Sequence, residues 1–299
     1  MTPPQGLPIS FVVTTLGRVD SLERLMLSLA PQMGPDDQLI IVAQAHLPDV
    51  EALVESRRNL FPRDIILGES ARGASRGRNV GVAMADADRD RLLMFPNDTS
   101  HFPDGAVETI RQAMGTAGAG AVTVRTAGGD RFSLPSPSAP LDSRSVWRVI
   151  EMGLIVRLSV FANAGGFDEQ LGTGAVTPWQ AGEVTDLLMR MLRSDPGLER
   201  SFVWIPAERA YVGGIEETRG LTGTERRRKL RAYGRGVGRV FSIHPFPVWH
   251  RVRFLVAGLV IGILRRDEYA LGDGFTAFAG RLEGLSGRVV GGPRTAVTR

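Results

Sequence analysis

Between residues 9 and 125, short apolar runs alternate with amphipathic stretches, and this alternation restricts the fold more than any other property of the chain. Residues 9–14, 39–43, 64–67, 92–95 and 121–125 have the length and composition of strands, and residues 21–30, 50–59, 75–86 and 104–114 between them read as helices. Asp20 is the predicted N-cap of the first helix. Strands and helices alternating at this spacing imply βαβ units and a mainly parallel sheet flanked by helices, a Rossmann-type α/β architecture. No strand–helix turn carries G-x-G-x-x-G, so a dinucleotide-binding fold is not supported.

Beyond that block, residues 128–145 are rich in Pro, Ser and Gly and are predicted to form a flexible connection. A second half begins with a strand at 153–156. It continues through the turn Gly165-Gly166-Phe167-Asp168, a loop at 171–181 carrying Trp179, and a helix at 183–192. From about residue 222 the character changes. The basic run RRRKLRAYGRGVG falls in a predicted helix over 224–238, Pro245 and Pro247 break it, and a second helix follows over Val248–Leu264. No internal repeat is present.

Charge follows the same division. Residues 1–200 carry 19 basic and 24 acidic side chains, a net of −5, whereas residues 201–299 carry 17 and 8, a net of +9. That asymmetry points to an anionic partner for the last third. Nucleic acid is disfavoured, because the Arg-rich segment lacks aromatics at a stacking spacing. Residues 254–264 are uncharged and mostly apolar, with Arg251 and Arg253 before them and Arg265 and Arg266 after. A membrane span needs about 20 apolar residues. This run predicts a helix lying in the interface of an anionic membrane, with peripheral attachment. The first residues lack a basic-then-apolar signal pattern, which sets the cytoplasm, on the inner face of the plasma membrane, as the expected location. The chain has no cysteine, which excludes disulfides and thiolate metal sites, and its four histidines fall at no ligand spacing.

The chemistry concentrates between residues 72 and 100. Arg76, Arg78 and Asn79 open a helix, and Asp98 stands just past the strand at 92–95. In open α/β sheets ligands bind outside the carboxyl ends of the strands. Cationic donors at a helix start suit a phosphate, because backbone N–H groups and the positive dipole end point the same way.

These segments together resemble family 2 glycosyltransferases, nucleotide-sugar-dependent enzymes of GT-A fold, over roughly residues 7–195. Ile9-Ser-Phe-Val-Val-Thr-Thr-Leu-Gly-Arg18 is similar to the family's first strand and following loop. Ser75-Arg-Gly-Arg-Asn-Val-Gly81 is similar to its Arg-Asn-x-Gly helix start, and Phe95-Pro-Asn-Asp-Thr99 occupies the place of its acidic metal motif. Gly165-Gly-Phe-Asp-Glu169 and Gly182-Glu-Val-Thr-Asp-Leu187 resemble its acceptor-side segments, and Tyr233-Gly-Arg-Gly-Val-Gly238 resembles the tail of bacterial members that build surface polysaccharides.

The resemblance implies an inverting hexosyl- or rhamnosyl-type transferase acting on a lipid-linked or growing polysaccharide. It implies a donor-binding half at 1–126 and an acceptor-binding half at 127–221 within one GT-A-like domain, followed by a helical membrane-associating extension at 222–299. Thr15, Arg18, Gln44, Arg78, Asn79, Asn97 and Asp98 are the expected nucleotide-sugar ligands, and Asp98 is also the expected ligand of Mg2+ or Mn2+. One carboxylate suffices if substrate phosphates complete the coordination. Val184 stands at the usual base position, so Glu183 is the expected base. Asp186, three residues on, is a second acid or acceptor ligand, and Trp179 is a sugar-stacking platform.

Two rivals stand beside this reading. A nucleotidyltransferase would use a related sheet, but no Gly-rich loop with a catalytic Lys follows the first strand. A non-catalytic sugar-nucleotide-binding or scaffold protein of the same fold would explain the thinned acidic motifs.

Overall fold

The computed structural model describes residues 6–214, 221–264 and 269–290, and for 261–264 the backbone alone. In chain order the first elements are β1 (Ile9–Thr15), α1 (Val19–Leu29), β2 (Gln38–Ala43), α2 (Leu47–Arg57), β3 (Ile66–Glu69), α3 (Ala74–Ala83), β4 (Leu92–Met94), α4 (Ala106–Met114) and β5 (Ala119–Thr126). There follow β6 (Gly129–Asp130), β7 (Leu154–Arg157), α5 (Leu158–Asn163), α6 (Glu183–Ser194), α7 (Leu198–Ser201), β8 (Val203–Ile205) and β9 (Tyr211–Gly213). Three helices close the order: α8 (Gly223–Ile243), α9 (Val248–Leu264) and α10 (Leu271–Ser286). The chain divides into two compact units, Met1–Glu169 with Val184–Glu217, and Gln170–Glu183 with Thr218–Arg299.

The first unit is built on a sheet of order β3-β2-β1-β4-β7-β5-β6, with β8 and β9 also paired to β5. β3, β2, β1 and β4 are mutually parallel, and β7 runs antiparallel between β4 and β5. β1 and β2 are β-branched or apolar along almost their whole length and are buried nearly throughout. Parallel strands covered on both faces require that. α1 contributes Leu22, Leu25, Met26 and Leu29, the three-and-four spacing of one helical face, to the core. α3 lies unusually close to the sheet, since a Cβ on Gly81 would fall 2.4 Å from Val12 Cγ1 and one on Gly77 2.6 Å from Thr14 Cγ2. Strand order reverses between β1 and β4, so the ends of these neighbours form the crevice where open α/β sheets bind ligands.

The structure corrects several local expectations. The third strand lies at Ile66–Glu69, not 64–67. Asp20 sits in the first turn of α1, whose N-cap position is Arg18 with no side-chain cap. The 128–145 connection is anchored: Leu141 is fully buried, and the Trp204 indole N–H donates to the Ala139 carbonyl at 2.8 Å.

The second unit packs α8, α9 and α10 with the loop at 170–183. Thr222 and Glu225 form a capping box at the start of α8. Glycines let α8 and α10 approach closely, and a Cβ on Gly280 would lie 2.3 Å from the Arg231 carbonyl. Much of the basic run is neutralised inside this unit. Arg226 and Arg227 pair with the fully buried Asp273 at 2.8 and 3.0 Å, and Arg231 and Arg235 pair with the buried Glu283. The 170–183 loop rests on α8, where a Cβ on Gly236 would lie 2.3 Å from the Ala181 backbone and the Arg239 guanidinium stands 5.8 Å from the Trp179 ring. Among the described residues no helix is long and apolar enough to cross a membrane. Arg265 and Arg266 lie outside the described residues.

Candidate active site

The site grows from the ends of β1 and β4. β1 delivers Thr15 at its last position, and the chain then turns through Gly17 into α1. Gly17 has φ of +86°, and a Cβ there would fall 2.5 Å from His46 Cβ, so this turn demands glycine. It sets Arg18 at the mouth of the crevice. On the neighbouring strand a parallel bridge between Thr14 and Asn97 extends the pairing past β4 and brings Asp98 beside Thr15.

Asp98 is only 2% exposed, and its carboxylate is held from two sides. The Thr15 hydroxyl donates to Oδ2 at 2.7 Å, while Arg18 donates to Oδ2 through Nε at 3.2 Å and to Oδ1 through Nη2 at 2.5 Å. The Thr15 hydroxyl also accepts from the Gly17 backbone N–H at 3.1 Å, tying the turn to the same cluster. The Arg18 side chain remains 48% exposed. Three expected donor-site residues, Thr15, Arg18 and Asp98, are thus brought together.

Asn97 faces a second cluster. Its amide donates to Glu151 Oε1 at 3.3 Å, and Arg78 Nη2 lies 3.9 Å from the same oxygen. Arg78 is buried, with its guanidinium 5.6 Å from the Phe167 ring. Its helix-start position suggested a contact to phosphate, and the tight seating of α3 on the sheet sets it within the protein. Asn79 clamps the backbone of Phe167, donating to the carbonyl and accepting from the N–H, each at 2.9 Å. Arg76 and Asn79 also reach Glu169, at 2.9 and 3.3 Å. The helix-start residues therefore organise the 165–169 turn. Gln44 fixes a loop in the same way, its amide donating to Ser70 Oγ and to the carbonyls of Ala71 and Gly73 at 2.8–3.0 Å.

On α6, Asp186 is buried, and its Oδ2 accepts from Arg190 Nε and Nη2 at 2.9 and 2.8 Å. Arg190 also donates to the Ala164 carbonyl. Asp186 thereby forms an ion pair that steadies the glycine turn. Glu183, the first residue of α6, is likewise buried, and Trp179 is half-buried in the loop on α8. Sequence reasoning missed Glu151, which precedes β7 in a short turn after the Pro/Ser-rich segment and belongs to no motif. Phe167 and Glu169 were visible only as parts of a turn.

No protein-family model matches this sequence, and no curated protein matches it either. Solved structures do resemble it. TarS 1-349 of S. aureus aligns with a TM-score of 0.58 at 13% identity, over 93% of this chain and 81% of that one. The mannosyltransferase PcManGT from Pyrobaculum calidifontis, solved with GDP-Man and Mn2+, aligns at 0.61 and 11% identity, over 96% and 89%. The chain has the GT-A fold. GalNAc-T7, solved with UDP, GalNAc and Mn2+, aligns at 0.57 and 11% identity over 94% of this chain and 58% of that one. The sequence-based expectation of a GT-A-like parallel sheet with flanking helices is met.

Two of these neighbours hold Mn2+, so the fit of a divalent ion at Asp98 is a direct question. A hard cation wants several oxygen donors. Here both oxygens of Asp98 are already engaged by a guanidinium and a hydroxyl. Among the described residues no group of three or more His, Asp or Glu comes together as a metal site. The donor set among the described residues does not fit the metal expected at Asp98, because a cation there would have to displace Arg18 from both carboxylate oxygens.

Proposed function

We infer that this chain is a glycosyltransferase that moves a sugar from a nucleoside diphosphate to a hydroxyl acceptor. The observation that carries the reading is the Thr15–Arg18–Asp98 cluster at the strand-order reversal of a GT-A sheet. The presence of UDP-GlcNAc in a TarS structure and of GDP-Man in PcManGT supports a nucleotide-sugar donor. Thr15, Arg18, Gln44, Asn97 and Asp98 border the donor, while Arg78 and Asn79 hold the turn that follows α5. The acceptor hydroxyl oxygen attacks the anomeric carbon in line. The bond from that carbon to the diphosphate oxygen breaks, and its electron pair leaves with the diphosphate, so the configuration inverts as the family 2 resemblance implies. Glu183 takes the hydroxyl proton. Arg18 offsets the charge growing on the diphosphate. Trp179 offers an aromatic face to the acceptor sugar.

The acceptor is a lipid-linked or growing bacterial surface polysaccharide, met by a peripheral enzyme at the cytoplasmic face of the membrane. Support for that comes from α9 and α10. Val248, Trp249, Val252 and Val256 expose one stripe of α9, and Leu271, Phe275 and Leu282 are exposed on α10. Apolar faces of this kind insert at a lipid interface. Because Arg226, Arg227, Arg231 and Arg235 are paired internally, the apolar stripe contributes more to attachment than the basic run does.

The test is incubation with a panel of UDP-, GDP- and dTDP-sugars and bacterial membrane lipids, reading nucleoside diphosphate release and the product's anomeric configuration. Release with inversion is the expected result. Donor binding without turnover across the panel would replace the enzyme by a non-catalytic carrier, and retention would refute the single-displacement step.

A further inference from the structure

We propose that Arg18 is the cation that neutralises the donor's diphosphate, and that this chain binds and uses its donor without a divalent metal. The proposal rests on the reading of the chain as a nucleotide-sugar transferase and adds how its site handles charge. Asp98 is the one expected site carboxylate at the strand-order reversal, and the structure spends it on Arg18. The guanidinium engages both carboxylate oxygens, at 2.5 and 3.2 Å, and Thr15 fills a further acceptor position at 2.7 Å. With the carboxylate 2% exposed, its negative charge is compensated by this pairing. A divalent ion would therefore have to expel a monovalent cation from a buried carboxylate, and would gain only one charged protein ligand among the described residues for it.

Arg18 is placed for the alternative role. Nearly half of its side chain is exposed, so a phosphate can approach a guanidinium that Asp98 already orients. A fixed guanidinium matches phosphate oxygens in a planar, two-point geometry that a flexible ammonium does not offer. Asp98 then acts as a positioning residue, holding Arg18 through Nε and Nη2. The backbone adds to the effect, because Arg18 occupies the N-cap position of the eleven-residue helix α1, whose positive dipole end favours anions.

The experiment measures binding of UDP, GDP, dTDP, CDP and ADP by calorimetry, each in excess EDTA and in excess MnCl2, with donor turnover followed in the same buffers. Wild-type protein is expected to bind its preferred diphosphate equally well in both, and to turn over in EDTA. Arg18→Ala is expected to weaken binding in EDTA by about 10- to 100-fold, the loss of a charge-assisted contact. Arg18→Lys should recover part of it. Because Arg18→Ala strands a buried carboxylate, the Arg18→Ala/Asp98→Asn pair serves as the folded control and should show the same loss. Asp98→Asn alone should leave binding unresponsive to Mn2+. Binding that requires Mn2+, with the requirement abolished by Asp98→Asn, would overturn the proposal and leave the transferase reading intact. Wild-type affinity for Arg18→Ala in EDTA would also overturn it. No binding of any of these diphosphates in either buffer would overturn both.

Discussion

Glu283 offers a quantitative test of how the C-terminal helices are held. It lies on α10, 3% exposed, with Arg231 and Arg235 of α8 on its two oxygens and the Val290 backbone N–H at 3.0 Å. Burial alone pushes the carboxyl upward, but the two arginines outweigh it and hold the group at about 2, against an ordinary 4.5. A difference of about 2.5 units at about 1.4 kcal/mol each corresponds to about 3 kcal/mol of stability carried by the ionised form. The folded value is the depressed one, so this contribution is complete above pH ~4.5 and is lost as pH falls toward 2. Glu283→Gln is therefore expected to lower the unfolding free energy at pH 7 by about 3 kcal/mol, with the gap to wild type at least halved at pH 3. Urea unfolding by circular dichroism at both pH values measures it. Hydrogen exchange over Gly223–Ile243 and Leu271–Ser286 locates it. An unchanged free energy at pH 7, or a gap that persists undiminished at pH 3, would refute the argument.

Three further outcomes are expected. Glu183→Gln should lower turnover by at least about 100-fold while donor affinity, read by calorimetry, stays near wild type; unchanged turnover would assign the base elsewhere. Asn79→Ala leaves the Phe167 N–H and carbonyl without their side-chain partner, and should cost about 1–3 kcal/mol in chemical denaturation. Replacing Trp249, Val252 and Val256 together by serine should abolish flotation with anionic liposomes without lowering the melting temperature, because these side chains are exposed; undiminished flotation would remove α9 from the membrane contact.

The sheet was legible in the sequence because its strands are buried on both faces and therefore read as unbroken apolar runs. β1, β2 and β4 were placed to within a residue, and Thr15 and Asp98 stand where the β1 and β4 runs stop. The burial of Arg78 was not legible, for a physical reason. A cation at a helix start is ordinarily solvated, and only the close seating of α3 through Gly77 and Gly81 turns it inward. α10 was missed because Gly272, Gly274, Gly280 and Gly284 depress helix propensity. Gly272, Gly280 and Gly284 are what α8 requires at close range, so tertiary packing overrides the local preference. β8 and β9 are three residues each and depend on β5 for their pairing, which leaves no periodicity of their own.

The grouping of 170–183 with the C-terminal helices has a practical consequence for anyone dividing this protein. A chain stopped before α8 looks like a minimal catalytic domain, but it removes the surface on which Ala181 and Trp179 rest, directly ahead of Glu183. Loss of activity in such a truncation would say nothing about lipid. By the same logic, a chimera that exchanges the C-terminal helices with those of a relative has to carry the loop and the three helices across as a single cassette, spliced at three junctions in the sequence rather than one.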